Sequence, residues 1–465
     1  MLIEYSSTAG RFQFVHRHHG KFPGSNTYTV IVGKNGTGKS RLLRSLVVNL
    51  LGGMLSSDHW DRNERVDRYE PIGRLDASRK PSRIISVSTS PFDRFPLPRR
   101  TAVIPGYSYL GLRGLSSSNL SLAYLSKIVS TLILSAESNP AQAHAIAGVL
   151  EYLSYRPAIH ISFQLLPETL LNELAQSRDP RATLEERLRR GPMPAPHEIG
   201  HAYRLLLDAT PDDVHRAIEL IQARPVSQRK KPIHLRLDQQ GLDVDLGESG
   251  KLDFLDAGGL RLQEILLLLR VGLLRLRDVV LIKKDKGESF HINDASSGEQ
   301  AVVLTLLGIG SQIKDGSLIC IDEPEVCLHP EWQEKYIHLL YRTFSHFNDC
   351  HFIIATHSPQ IVAQLPAGNC HVMSMETGVA TPAGSHSHKS IDYQLAEVFG
   401  APGYRNEYLS RTALTLFSSV SKKRRFDSGA LETMEKLEKM VHLLNEDDPI
   451  LDLILTLQEM RRQYE

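Results

Sequence analysis

Gly33-Lys34-Asn35-Gly36-Thr37-Gly38-Lys39-Ser40 is the stretch that decides the fold. It fits G-x-x-x-x-G-K-[ST] at every fixed position. Tyr28 to Val32 precedes it as an apolar strand. Leu42, Leu43, Leu46, Val47 and Leu50 follow at helical spacing, so the order is strand, loop, helix. Glycines let such a loop fold tightly, so that successive backbone N–H groups converge on phosphate oxygens. The helix start adds the positive end of its dipole. Lys39 then supplies a mobile charge to the β- and γ-phosphates, and the Ser40 hydroxyl suits Mg²⁺. Gly33 through Arg41 is therefore the candidate ATP-binding segment. An ordinary glycine turn is the competing reading, and the flanking strand and helix count against it.

A second apolar run, Leu318-Ile319-Cys320-Ile321, ends in Asp322 and Glu323. A buried parallel strand places such a pair at its C-terminal edge, where α/β sheets bind ligands. Asp322 suits a Mg²⁺ contact and Glu323 suits polarising an attacking water. Ser296-Ser297-Gly298-Glu299-Gln300 opens another apolar helix, where serine can cap and glycine permits close approach. His357 stands just beyond a third strand, in Ile353-Ile354-Ala355-Thr356-His357-Ser358-Pro359.

Phosphate loop, long insert, S-G-E-Q, acidic strand and histidine, in that order, resemble the ABC ATPase family over roughly residues 1–115 and 230–365. The resemblance implies an α/β ABC ATPase head: a mixed sheet with a P-loop core, a helical insertion and a helical C-terminal tail. It implies that Ser296 to Gln300 close over ATP held by a second subunit, giving a head-to-head dimer with two composite sites. It makes His357 the contact to the γ-phosphate and groups it with Glu323 and Lys39 in catalysis. Asp322-Glu323-Pro324-Glu325 with Leu328-His329-Pro330, then A-T-H-S-P, looks like the soluble SMC- and OLD-like branch rather than the transporter ATPases. One departure concerns the glutamine that this family carries after an early strand. Ile85 to Asp93 has none, and Asp93 or a neighbour in Ser90-Pro91-Phe92-Asp93 is the candidate to replace it at the metal.

The expected division is an N-lobe over 1–115, a helical insertion over 116–230, a C-lobe over 231–390 and a helical tail over 391–465. From about 117 to 225 the pattern is helical, and long heptads are lacking, which argues against a coiled-coil arm. Ile233 to Leu237 and Leu242 to Leu246 are strand-like, as are Val279 to Lys283 and Ser289 to Ile292 around Asp285-Lys286-Gly287. Leu431, Met434, Leu437, Val441 and Leu444 mark one helical face in the tail.

Among 465 residues, 41% are hydrophobic and 23% charged, enough for a large packed core. A formal net charge of +1 points to no polyanionic partner by itself. The four cysteines form no C-x-x-C pair, so reduced thiols are expected. No signal peptide or membrane span is evident, and a bacterial cytoplasmic protein is the expectation. After His357 only 108 residues remain, helical in pattern, and Asp447, Asp448 and Asp452 lack the βαβ context of a Toprim nuclease. His16, His18 and His19 form no H-N-H cluster.

A lone ATPase of this size resembles the ATPase subunits of antiphage defence systems, the PARIS type first and the Septu type next. That resemblance implies an oligomer that responds to a phage trigger protein and controls a separately encoded effector nuclease of Toprim or HNH type. The alternative is a DNA-repair or recombination ATPase acting on DNA. Two short basic runs, Gln228 to Lys231 and Lys422 to Arg425, are the candidate DNA contacts, with solvated loops as the simpler reading.

Overall fold

The computed structural model describes residues 2–16, 24–52, 73–98, 104–113, 120–138, 140–190, 205–206, 209–244, 260–326 and 328–464. His18, His19, Cys327 and the proline-containing stretch after Arg190 lie outside them. Three sheets organise the chain. The first joins β1 (Leu2–Ser7), β2 (Gly10–Gln13) and β4 (Arg74–Ala77), with β1 in the middle.

The second sheet has seven strands in the order β15-β14-β3-β13-β12-β5-β6. These are β3 (Thr27–Val32), β5 (Ile84–Ser88), β6 (Tyr107–Gly111), β12 (Leu318–Asp322), β13 (His351–Ala355), β14 (Cys370–Ser374) and β15 (Ala380–Pro382). All neighbours are parallel except β14 and β15. Both faces are covered, which is why these strands are continuous apolar runs rather than alternating ones. One face packs Ile31, Cys320 and Ile353 against Leu43, Leu46 and Val47 of α1 (Lys39–Leu51). The other packs Val30, Ile319, Ile321 and Ile354 into the larger core. There α2 (Leu120–Ser138), α3 (Pro140–Tyr152), α8 (Ser297–Gly310) and α9 (Pro330–Thr343) meet.

The third sheet corrects the expectation that 117–225 is helical throughout. Tyr155–Leu165 is an 11-residue strand, β7, at the centre of a five-stranded antiparallel sheet ordered β11-β10-β7-β8-β9. Its partners are β10 (Leu274–Lys283) and β8 (Ile233–Asp238), with β11 (Ser289–His291) and β9 (Gly241–Val244) outermost. Ile159, Ile161, Phe163 and Leu165 are buried and alternate with half-exposed His160, Ser162 and Gln164. That period of two is the strand signal, overlooked between strongly helical neighbours. Because β7 pairs across to 233–238 and 274–283, segments on both sides of residue 230 share one sheet. Helices α4 (Glu168–Gln176), α5 (Pro180–Arg190), α6 (Pro211–Gln222) and α7 (Leu262–Val271) complete this region. Leu274 begins β10 because Gly272, at φ +81°, ends α7 in a left-handed cap.

The tail forms its own small core. Helices α10 (Glu407–Lys423), α11 (Ser428–Met440) and α12 (Pro449–Tyr464) bury Leu409, Leu416, Val420, Met434, Leu437, Ile454 and Leu457 together. Asn406 and Asp427 cap α10 and α11 through their side chains, and Pro449 opens α12. Among the described residues, no helix is long and apolar enough to cross a membrane.

Candidate functional site

Strand register assembles the site. Ala355 of β13 lies beside Ile31 of β3 and Asp322 of β12, and Asp322 lies beside Ser88 of β5. Four strands therefore end level. The loop 33–38, Glu323, Thr356-His357 and Thr89-Ser90 all leave the sheet at one edge, though they are far apart in sequence.

The loop after β3 turns through Gly36 at φ +81° and Gly38 at φ +97°, a conformation costly for any residue with a Cβ. Gly38 leads into α1, whose first turn has no acidic residue and no side-chain cap. Its first N–H groups thus have no competing internal acceptor of that kind. Lys39 is buried, and its Nζ donates to the carbonyls of Gly33 (2.9 Å) and Lys34 (3.3 Å). Burial lowers its pKa, while Glu323, Glu325 and Asp322 pull the other way.

Ser40 Oγ donates to Asp322 Oδ1 at 3.1 Å, joining the two candidate Mg²⁺ ligands directly. Asp322 is 3% exposed, and burial pushes its pKa up to about 7. The Ser40 bond opposes that rise, and Glu323, Asp93 and Glu325 add to it. Glu323 follows at φ +49°, a left-handed backbone that turns the chain sharply off the strand end. Its N–H donates to Ala355 O at 2.9 Å, so β13 fixes that turn.

His357 connects the loop to the acidic strand. Its Nδ1 lies 3.3 Å from Lys39 Nζ, and its Nε2 lies 3.8 Å from Glu323 Oε1. Lysine has only donors, so Nδ1 must accept and the proton sits on Nε2. Burial, then the Lys39 charge, pushes the imidazole pKa down to about 4. A neutral ring with Nε2–H directed at Glu323 is a hydrogen-bond donor for an oxygen placed between them.

The donor set suits a magnesium–triphosphate complex. All candidate ligands are oxygens, and Ser40 and Asp322 supply two, the small protein share that Mg²⁺ takes beside phosphate and water. The carboxylates of Asp322, Glu323 and Glu325 outnumber Lys39 here, an imbalance that a divalent cation offsets.

The helix α8 begins at the S-G-E-Q segment. Ser296 caps it, its side chain accepting from Glu299 N at 3.3 Å. Gln300 donates to Ile292 O and Glu299 accepts from Tyr155 OH, each at 3.3 Å. Gly298 is buried in the first turn, and the backbone of Ser297 starts the helix. These bonds run to β7 and the turn before α8, and bring this segment to no residue of the loop 33–40.

Asp93, the candidate replacement for the missing glutamine, is close enough to raise the Asp322 pKa and is itself held by several bonds. Its Oδ1 accepts from Phe95 N at 3.0 Å and its Oδ2 from Tyr109 OH at 2.5 Å. Arg113 donates to the Asp93 carbonyl at 3.0 Å, and Lys127 Nζ sits 4.6 Å from the Tyr109 ring. Burial raises the Asp93 pKa and lowers that of Lys127 to about 8. These bonds tie the loop after β5 to β6, and the charge of Lys127 on α2 acts on the same carboxylate. Tyr109, Lys127 and Glu325 were not singled out by sequence as parts of this neighbourhood. Only the charge of Lys127 within an apolar helix hinted at a buried partner.

Comparison with known proteins places part of this chain. A family described as "AAA domain, putative AbiEii toxin, Type IV TA system" matches residues 161–363, which hold the S-G-E-Q segment, Asp322, Glu323 and His357. A "Retron Ec83 probable ATPase" from Escherichia coli is 27% identical over 115 residues, 22% of this chain and 21% of that protein. The chain thus spans about a fifth of the length of that curated relative. Among solved structures, an SMC head domain from Thermotoga maritima is 23% identical over 22% of this chain and 38% of that one, with a TM-score of 0.18. A Pyrococcus furiosus Smc head domain bound to the C-terminal domain of ScpA is 14% identical, covering 83% and 97%, with a TM-score of 0.29. A nucleotide-free ATP-binding cassette from an ABC transporter is 12% identical, covering 82% and 92%, at 0.23.

Proposed function

We propose that this chain, an AAA/ABC-type ATPase, binds Mg·ATP on the loop 33–40 and hydrolyses it at the edge where β3, β12 and β13 end. The observation that carries this reading is the convergence of Lys39, Ser40, Asp322, Glu323 and His357 through strand register alone. Bound Mg²⁺ neutralises charge on the phosphates. The protein's own residues do the rest. Lys39 exchanges its two loop carbonyls for phosphate oxygens. Glu323 orients and polarises a water on the γ side. The neutral His357 donates its Nε2–H to a γ-phosphate oxygen.

The start of α8, where Ser296 caps the helix and Gly298 lies buried in the first turn, is the second segment we assign to nucleotide contact. Its bonds run to Tyr155 and Ile292 rather than to the loop 33–40 of its own chain, and we infer that it closes over the nucleotide of a second copy, in a dimer with two composite sites. We assign the chain to the bacterial cytoplasm as the ATPase component of an antiphage defence system that controls a separately encoded nuclease. The retron ATPase among its relatives supports the defence reading.

ATP turnover by the purified protein tests the chemistry. The parent hydrolyses ATP and Lys39→Ala does not bind it. Equal turnover by both removes the ATPase reading. Ser297→Arg tests the composite site, and unchanged turnover in it removes the dimer model. Mass photometry with the neighbouring gene product, with and without ATP, tests effector control. An ATP-sensitive assembly that captures the neighbour supports it, and a dimer that ignores the neighbour but shifts on duplex DNA favours a repair role.

A further inference from the structure

A closed ring of hydrogen bonds lies behind these residues and uses a carboxylate that the mechanism leaves unassigned. Glu325 Oε2 accepts from Thr356 Oγ1 at 2.8 Å, and its Oε1 accepts from the backbone N–H of His357. Thr356 Oγ1 in turn accepts from Ser358 N at 2.9 Å. Ser358 Oγ donates to Gln333 Oε1 at 2.8 Å, in the first turn of α9. Gln333 Nε2 donates to Leu328 O at 3.0 Å, returning to the loop that carries Glu325. Thr356 N also donates to Ile31 O at 3.1 Å, pinning the same segment to β3 just before the phosphate loop.

Glu325 is the one member that joins the acidic loop to the histidine loop from both of its oxygens. Two donors converge on it, a hydroxyl and a backbone N–H. Only an acceptor-only carboxylate satisfies both without reversing a bond, because an amide presents a donor to one of them. The backbone N–H held by Glu325 belongs to the residue whose ring meets Lys39 at 3.3 Å and Glu323 at 3.8 Å. Releasing it frees His357 to move against both.

We propose that Glu325 is a positioning residue. Through Thr356 and the His357 amide it holds the imidazole in register with Lys39 and Glu323, and it touches neither nucleotide nor water. The inference rests on the ATPase reading above, in that its kinetic effect falls on hydrolysis. A misplacement near 1 Å costs about 100-fold in such sites. Loss of the Glu325 brace should therefore lower kcat by about tenfold or more, with ATP KM within about threefold, because the lost interaction acts on the reacting geometry rather than on nucleotide binding.

The test uses full-length Glu325→Ala, Glu325→Gln and Thr356→Val. Each is measured for kcat, KM, thermal melting and the imidazole NMR signals of His357, assigned by their loss in His357→Gln. Glu325→Ala should lose kcat with KM retained and should shift or broaden the His357 signals. Glu325→Gln should recover part of both, since its carbonyl still accepts one bond while Thr356 reverses. Parental kcat together with unmoved His357 signals in Glu325→Ala overturns the proposal. If Glu325→Ala does not fold, the near-isosteric Thr356→Val decides by the same two readouts. If the parent and Lys39→Ala turn over ATP equally, the ATPase reading is what has failed. The His357 signals then decide the positioning role alone.

Discussion

Lys39 Nζ and His357 Nδ1 stand 3.3 Å apart, one on the first turn of α1 and the other 318 residues later beyond β13. The contact sets the state of the histidine. An ammonium directed at Nδ1 penalises a proton there, and burial penalises the charged ring further, so the imidazole pKa falls to about 4. His357 is expected to remain the neutral Nε2–H tautomer across pH 5–8. Nitrogen-15 NMR of the imidazole checks this. Lys39→Met should raise the pKa only partway, because burial is the larger cause.

Glu323→Gln separates nucleotide binding from hydrolysis. The amide keeps the size of the side chain but loses the basicity, and general-base catalysis contributes about 10²–10⁴-fold. Turnover should fall by about 100-fold or more while ATP binding persists and the closed dimer accumulates. Single-turnover hydrolysis and size analysis with ATP measure both. Parental turnover in this variant removes Glu323 as the base.

Asp322 makes stability depend on pH in an unusual direction. Its folded pKa is about 7, above the unfolded value near 3.8, so between these the folded state holds the extra proton. Stability without metal should then decline as pH rises from about 4 towards 7. Mg²⁺ with nucleotide should offset the decline above pH 7, since the ionised carboxylate is the form that coordinates. Thermal melts of the parent and Asp322→Asn against pH provide the check. The asparagine variant should show a flatter profile and no stabilisation by Mg²⁺.

His351 works in the opposite sense. It is fully enclosed, accepts from Leu2 N at 3.2 Å through Nδ1 and meets Thr29 Oγ1 at 2.9 Å through Nε2. Burial pushes its pKa well below 6.5, with His371 adding to the effect. The unfolded state binds the extra proton, so this contribution is lost as pH falls below about 6.5. Acid unfolding of the parent should be steeper than that of His351→Gln, as followed by circular dichroism.

Much of the site was legible because its chemistry is local in sequence. The glycine spacing of 33–38, the paired Asp322 and Glu323, and the Ser296 cap each declare a backbone shape and a charge within a few residues. The same holds for the hairpin around Asp285-Lys286-Gly287 and for the capped tail helices. Strand β7 was not legible because a single run of alternation, Ile159 to Leu165, sits between the helices α3 and α4 in a stretch otherwise helical in pattern. Its identity depends on partners 70 and more residues away in β8 and β10. The setting of Asp93 was illegible for a related reason. Its neighbours Tyr109 and Lys127 are brought to it only by β6 and α2.

By itself, then, the sequence determined which segments are the candidates for phosphate, metal and water chemistry, since those demands act on consecutive backbone groups and side chains. The tertiary structure alone decided their alignment. Parallel register sets Ile31, Ala355 and Asp322 level, and that brings Lys39 to His357 and Ser40 to Asp322. It also decided the bonds from Thr356 and the His357 amide to Glu325, and the sheet that joins 155–165 to 233–244 and 274–291. Such pairings depend on burial and on which strand lies next to which, and neither is set by any one stretch of chain.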